Sequence, residues 1–155
     1  MKIEARVTPG PGDPPPREDG CGQCHVCCVN LNTDWARPGE PCSHLDVESG
    51  CTVYADRPGV CRDYRCAWLF FRWAVEFRPD LCGVGAHVQS GPGEGDSCDG
   101  EYWVAVETWD GASREPKGEA VVACLLDTGS DVRVYSPTGG LVCVHRAPVV
   151  KGDGG

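Results

Sequence analysis

The stretch CGQCHVCCVNLNTDWARPGEPCSHLDVESGCTVYADRPGVCRDYRC, Cys21 to Cys66, decides how this chain is read. Eight of the twelve cysteines fall within these 46 residues, at Cys21, Cys24, Cys27, Cys28, Cys42, Cys51, Cys61 and Cys66. Only ten sizeable apolar residues accompany them, among them Leu31, Trp35, Leu45 and Tyr64. That is too little apolar surface to offset the entropy of ordering a segment rich in Gly, Pro and polar residues. A staple is required, and bound metal is the one this composition suggests.

The spacing is C-x2-C-x2-C-C-x13-C-x8-C-x9-C-x4-C. Thiolates are soft donors, so an all-cysteine set selects zinc, iron-sulfur clusters or Cu(I) over magnesium and calcium. Eight ligands divide into two sets of four, enough for two zinc ions or two cubane clusters, or they build one polynuclear centre with bridging sulfurs. If the CxxCxxCC run is helical, Cys21, Cys24 and Cys28 share a stripe with Cys27 beside it; as two knuckles, each CxxC curls around an ion. A disulfide framework is the competing use of so many cysteines, and it belongs to exported proteins. The N-terminal MKIEARVTPGPGDPPPRE has no apolar run of a leader, so a cytoplasmic, reducing location is expected. Adjacent Cys27 and Cys28 are also awkward disulfide partners for one another.

Outward from the cysteines, residues 1–20 read as a flexible arm, with a short strand at Lys2 to Val7 followed by PGPGDPPP. Residues 21–148 read as a single domain, divided into a metal-binding part, 21–66, and a helix plus sheet, 67–148; residues 149–155 read as a frayed tail. Inside the first part, Cys42-Ser-His-Leu and Gly50-Cys-Thr-Val-Tyr suggest a small hairpin, and Tyr54 to Gly59 a short helical turn. The segment CAWLFFRWAVEF, Cys66 to Phe77, is apolar nearly all round and reads as one buried helix. Strands are expected over Gly83 to Gln89, Tyr102 to Trp109, Glu119 to Leu126, Val132 to Ser136 and Leu141 to Arg146, with DTGSD as a hairpin turn. The fold class is therefore α+β: a small irregular cysteine-rich metal-bound subdomain, and one apolar helix packed on a small antiparallel sheet.

The formal net charge is -9, from 23 acidic against 14 basic residues. Thiolates add to it. Phosphate backbones and anionic membrane surfaces are repelled by such a surface, so neither nucleic acid nor membrane is expected as a partner. The longest apolar run, Ala67 to Phe71, is too short to cross a bilayer. Metal ions are the expected partners, and a protein partner is left open.

With these residues in view, the chain resembles the YkgJ-type cysteine-cluster family, described as a zinc- or iron-chelating CxxCxxCC domain. The resemblance lies in CGQCHVCC at 21 to 28, in Cys42 with nearby Leu45, and in CTVYADRPGVCRDYRC at 51 to 66, where Tyr54, Arg57, Pro58 and Cys61 keep their places. It covers about a third of the chain; the RPD after the helix and the tail look like bacterial members more loosely. It implies that Cys21, Cys24, Cys27, Cys28, Cys42, Cys51, Cys61 and Cys66 are the ligand set, for zinc or iron. The same domain occurs in the longer flagellin lysine N-methylase, which brings a protein-modifying activity into view. No strand followed by a glycine-rich loop and helix is present here to hold S-adenosylmethionine.

The remaining candidates have plainer readings. His25 and His44 lie inside the cluster region and could replace a thiolate, but they read more simply as surface residues or supports behind the ligands, because eight sulfurs already complete two sets. Cys82, Cys98, Cys124 and Cys143 lack knuckle spacing, and the last two read as small core residues in strands. Arg57 and Arg62 either donate to thiolate sulfur or pair with Asp56 and Asp63. Asp127-Thr-Gly is turn chemistry. The leading functional expectation is a metal-binding protein whose zinc or iron is structural; the alternative is an iron-sulfur protein with redox or lysine-methylation-like activity. No catalytic residue can be assembled from sequence, so whether the chain is an enzyme is left open.

Overall fold

Period-two apolar patterns make four strands in the computed structural model: β3 (Val84–Ser90), β4 (Glu101–Glu107), β5 (Val132–Tyr135) and β6 (Leu141–His145). The structure describes residues 24–30, 39–46, 48, 50–56, 58–59, 61, 64, 66–90 and 100–149. The expected arm at 1–20 with its strand, Cys21, the connection around Trp35, Arg57, Arg62, the GPGEGDS loop, Cys98 and nearly all of the tail lie outside them. Before the sheet come helix α1 (Val26–Asn30), the two-residue strands β1 (Leu45–Asp46) and β2 (Gly50–Cys51), a 3₁₀ turn at Tyr54–Asp56, α2 (Ala67–Phe71) and α3 (Pro79–Cys82). Helix α4 (Pro116–Leu126) joins β4 to β5. The fold is α+β and small, as expected.

The sheet runs β3-β4-β5-β6 and is mixed, which corrects the antiparallel expectation. β3/β4 and β5/β6 are antiparallel, whereas β4 and β5 are parallel, with Trp103 opposite Val132 and Ala105 opposite Val134. A parallel pair cannot be closed by a tight turn and needs a long crossover. Glu119 to Leu126 supplies it as helix. The segment was expected to be a strand, but an unbroken apolar run such as AVVACLL looks alike in a buried strand and a buried helix. Pro116 at its first position and Asp127-Thr128-Gly129 at its end are the helix signals, so the DTG turn closes a helix instead of a hairpin.

The expected helix over Cys66 to Phe77 is also corrected. It stops after Phe71 because Arg72 adopts the left-handed conformation (φ 52°, ψ 44°), and a separate 3₁₀ turn follows at Val75–Phe77. Reversing the chain there brings Phe71 and Trp73 into a stacked pair, 5.4 Å between centroids, with Phe71 also 5.6 Å from Trp103. Phe70 is left 64 % exposed, so the segment is not buried all round. Val84, Ala86, Trp103, Ala105, Val132 and Val134 share one sheet face and one core cluster with Ala67, Trp73, Phe77 and the α4 residues Val121, Val122 and Leu125. Gly118 makes the approach of α4 possible, since a Cβ there would fall into the Ala112 carbonyl.

The other sheet face carries Gly85, His87, Tyr102, Val104 and Arg133. Val26 of α1 rests against Gly85, and the Tyr64 hydroxyl lies 3.3 Å from His87 Nδ1. Gly39 lies against Pro137 and Thr138 in the β5–β6 turn. Residues of the cysteine-rich stretch thus contact the sheet on the side away from α4.

Candidate metal centre

Helix α1 is one turn long and begins just after Cys24 and His25, so Cys27 and Cys28 stand side by side at its start while Cys24 precedes it. The Cys28 amide donates to the His25 carbonyl at 3.0 Å. The helical reading of the CxxCxxCC run therefore holds for its second half, and Cys24 is not on the helix stripe. A hydrogen bond from the Cys27 thiol, opposed by burial, draws the Cys28 pKa down to about 7, which places a thiolate within reach at neutral pH.

Main-chain bonds then tie successive cysteines together. The Cys42 amide donates to the Cys28 carbonyl at 2.8 Å, and the Gly39 amide to the Val29 carbonyl at 3.0 Å, so the loop returns onto α1. The Leu45 amide donates to the Cys42 carbonyl, and Leu45 pairs with Cys51 across the β1/β2 ladder. A hairpin forms near the expected place, but its strands are only Leu45–Asp46 and Gly50–Cys51, with Cys42 ahead of the first strand and Ser43-His44 in a turn. Thr52 completes it by donating its amide (2.9 Å) and its hydroxyl (3.0 Å) to the His44 carbonyl. The Cys61 amide turns back onto the Pro58 carbonyl at 3.0 Å, in the turn that follows Tyr54–Asp56. Cys66 sits in extended conformation at the start of α2, buried, its carbonyl accepting from Phe70 at 2.9 Å.

Cys24 has company that the sequence did not announce. It is buried, and its thiol donates to the Asp80 carboxylate, which Arg78 grips with Nε at 2.5 Å and Nη2 at 2.8 Å. Burial opposes ionisation of Asp80, but the bonds from Arg78 and Cys24 outweigh it and the carboxyl stays below its ordinary range. The RPD tripeptide after the expected helix was the only available signal. Asp80 is 56 positions from Cys24, so no local pattern joins them.

None of the ten described cysteines is in a disulfide. The donors are soft and mostly half-buried, and this chemistry fits zinc or iron. Cys27, Cys28, Cys42 and Cys51 are brought into one connected stretch of backbone. Cys24, Cys61 and Cys66 stand at its flanks, and Cys21 lies outside the described residues. Among the described residues, no group of three or more His, Cys, Asp or Glu side chains is gathered as a finished ligand set. Cys82 is set apart from these: it is buried at the end of α3 with its thiol 3.4 Å from the carbonyls of Phe77 and Val84, and burial pushes its pKa up. Cys124 and Cys143 lie half-buried against the core, the former on α4 and not on a strand.

Comparison with family models, with curated proteins and with solved structures finds no match for this chain. Among the described residues no helix is long and apolar enough to cross a membrane.

Proposed function

We propose that this is a cytoplasmic metal-binding protein of the YkgJ cysteine-cluster type, in which Cys21, Cys24, Cys27, Cys28, Cys42, Cys51, Cys61 and Cys66 chelate zinc or iron and the metal is structural. The observation that carries the reading is the succession of main-chain bonds linking α1 to the β1/β2 hairpin, which holds Cys27, Cys28, Cys42 and Cys51 in one short stretch of backbone. That stretch has little apolar surface of its own, so ligation and ordering of the cysteine-rich part are one event. A structural zinc contributes on the order of 10 kcal/mol when it folds its ligands. The metal supplies cross-linking; the chain supplies thiolates, the carboxylate beside Cys24 and a sheet face on which Val26 and Tyr64 rest. The acidic surface makes nucleic acid an unsuitable partner.

The test is metal analysis of anaerobically purified protein, followed by chelation under reducing conditions while circular dichroism is recorded. Zinc or iron in stoichiometric amount, with loss of ordered signal on its removal, is expected. Protein that contains no metal, or whose spectrum is unchanged by stripping it, defeats the reading. A coloured, oxygen-sensitive iron centre with labile sulfide would instead favour an iron-sulfur protein with a redox or protein-modifying role.

A further inference from the structure

Strand β6 ends in Cys143-Val144-His145, and residues two apart on a strand share a face. Their partners on β5 are Val134 and Val132, both in the core that α4 covers, so Cys143 and His145 are turned toward α4. Between α4 and β6 lies an open cleft of about 420 Å³, walled by Glu119, Val122 and Leu126 on one side and Cys143 and His145 on the other, with Arg114 at its margin. Cys143 is half-buried; His145 and Glu119 are exposed.

The Cys143 Sγ and His145 Nε2 atoms are 3.4 Å apart. Two ligands of one tetrahedral zinc, with Zn–S about 2.3 Å and Zn–N about 2.0–2.1 Å, stand about 3.5 Å from each other. The pair is thus already spaced as one edge of such a site. Glu119 lines the cleft opposite the pair, with Arg114 at its margin.

We propose that Cys143 and His145 are two ligands of a second metal site, separate from the cysteine cluster, which takes one borderline-soft divalent cation of the zinc class. Glu119 completes it as an oxygen ligand by swinging its exposed side chain into the cleft, and water occupies the fourth position. On binding, the Cys143 S–H bond breaks, sulfur keeps the electron pair and donates it to the ion, and the proton leaves to solvent. His145 binds through the Nε2 lone pair and remains neutral.

The site is tested on the full-length reduced protein by titration with Zn²⁺, reading the imidazole nitrogen resonances by NMR and the bound metal after dialysis. In the wild type the His145 Nε2 resonance, assigned by its loss in His145→Ala, moves on saturation. Cys143→Ser and His145→Ala each retain one zinc equivalent fewer than wild type with unchanged circular dichroism. Glu119→Gln keeps the resonance shift but needs about tenfold more zinc to reach it. Equal zinc content in all four proteins, or a His145 resonance indifferent to zinc, overturns the proposal. Because the cluster cysteines are intact in every variant, failure of the cluster reading would appear separately, as wild-type protein that holds zinc only at His145.

Discussion

Glu107 shows how a single buried charge is made tolerable. It is 2 % exposed at the end of β4, and its carboxylate accepts from the Ser113 hydroxyl at 2.6 Å, the Ser113 amide at 3.1 Å and the Gly111 amide at 3.1 Å. Burial alone would raise its pKa, but these donors together hold it below the ordinary carboxylate value of 4.5. A depressed folded-state pKa contributes stability that is complete above the unfolded value and lost as pH falls through the folded one. Urea midpoints measured from about pH 7 to about pH 3 should therefore decline at the acid end, and Glu107→Gln should flatten that decline while lowering the neutral-pH midpoint. At Gly118 the constraint is space: Gly118→Ala drives a methyl into the Ala112 carbonyl and should cost about 1–3 kcal/mol in the same assay.

Among the elements, α4 and α2 make opposite points. α4 is the crossover that permits β4 and β5 to be parallel, and Leu125, fully buried, is its deepest anchor. Leu125→Ala should lose about 2–5 kcal/mol by chemical denaturation. α2 ends at Arg72, a non-glycine residue with φ 52°. The left-handed conformation strains any L-residue with a Cβ, so Arg72→Gly should raise stability by about 0.5–1 kcal/mol, seen as a higher melting temperature. If the midpoint falls, a contact of the Arg72 side chain outweighs the backbone strain.

At the scale of the whole molecule, the cysteine-rich stretch and the sheet differ in what holds them. β3 to β6, α4 and the Phe71, Trp73 and Trp103 rings bury an apolar core, whereas among the described residues of 24–61 only Cys24 is buried. Removing a structural metal should accordingly abolish amide-exchange protection in α1 and the β1/β2 hairpin and leave β3 to β6 protected. Cys66→Ala should lower bound metal, since Cys66 joins the two parts. Cys82→Ala should leave metal content unchanged, because that thiol bonds to the carbonyls of Phe77 and Val84. Reversal of that contrast in metal analysis would reassign the ligand set.

What could be read from sequence was what depends on near neighbours. Alternation in YWVAVE and LVCVH announces strands because side-chain direction on a strand is a local property. The soft-metal preference of the cysteines likewise follows from sulfur chemistry wherever the thiols sit. The hairpin that pairs Leu45 with Cys51 needed only a short turn. The register and direction of β4 against β5 were decided by tertiary structure, because parallel pairing gains its contacts only after the intervening chain has packed as helix. That same packing turned EAVVACLL into α4 and reversed the chain at Arg72 so that Phe71 and Trp73 both reach the sheet. It also brought Asp80 to Cys24. Residue types determined which chemistry was available; the burial of one continuous apolar face decided which of those residues meet.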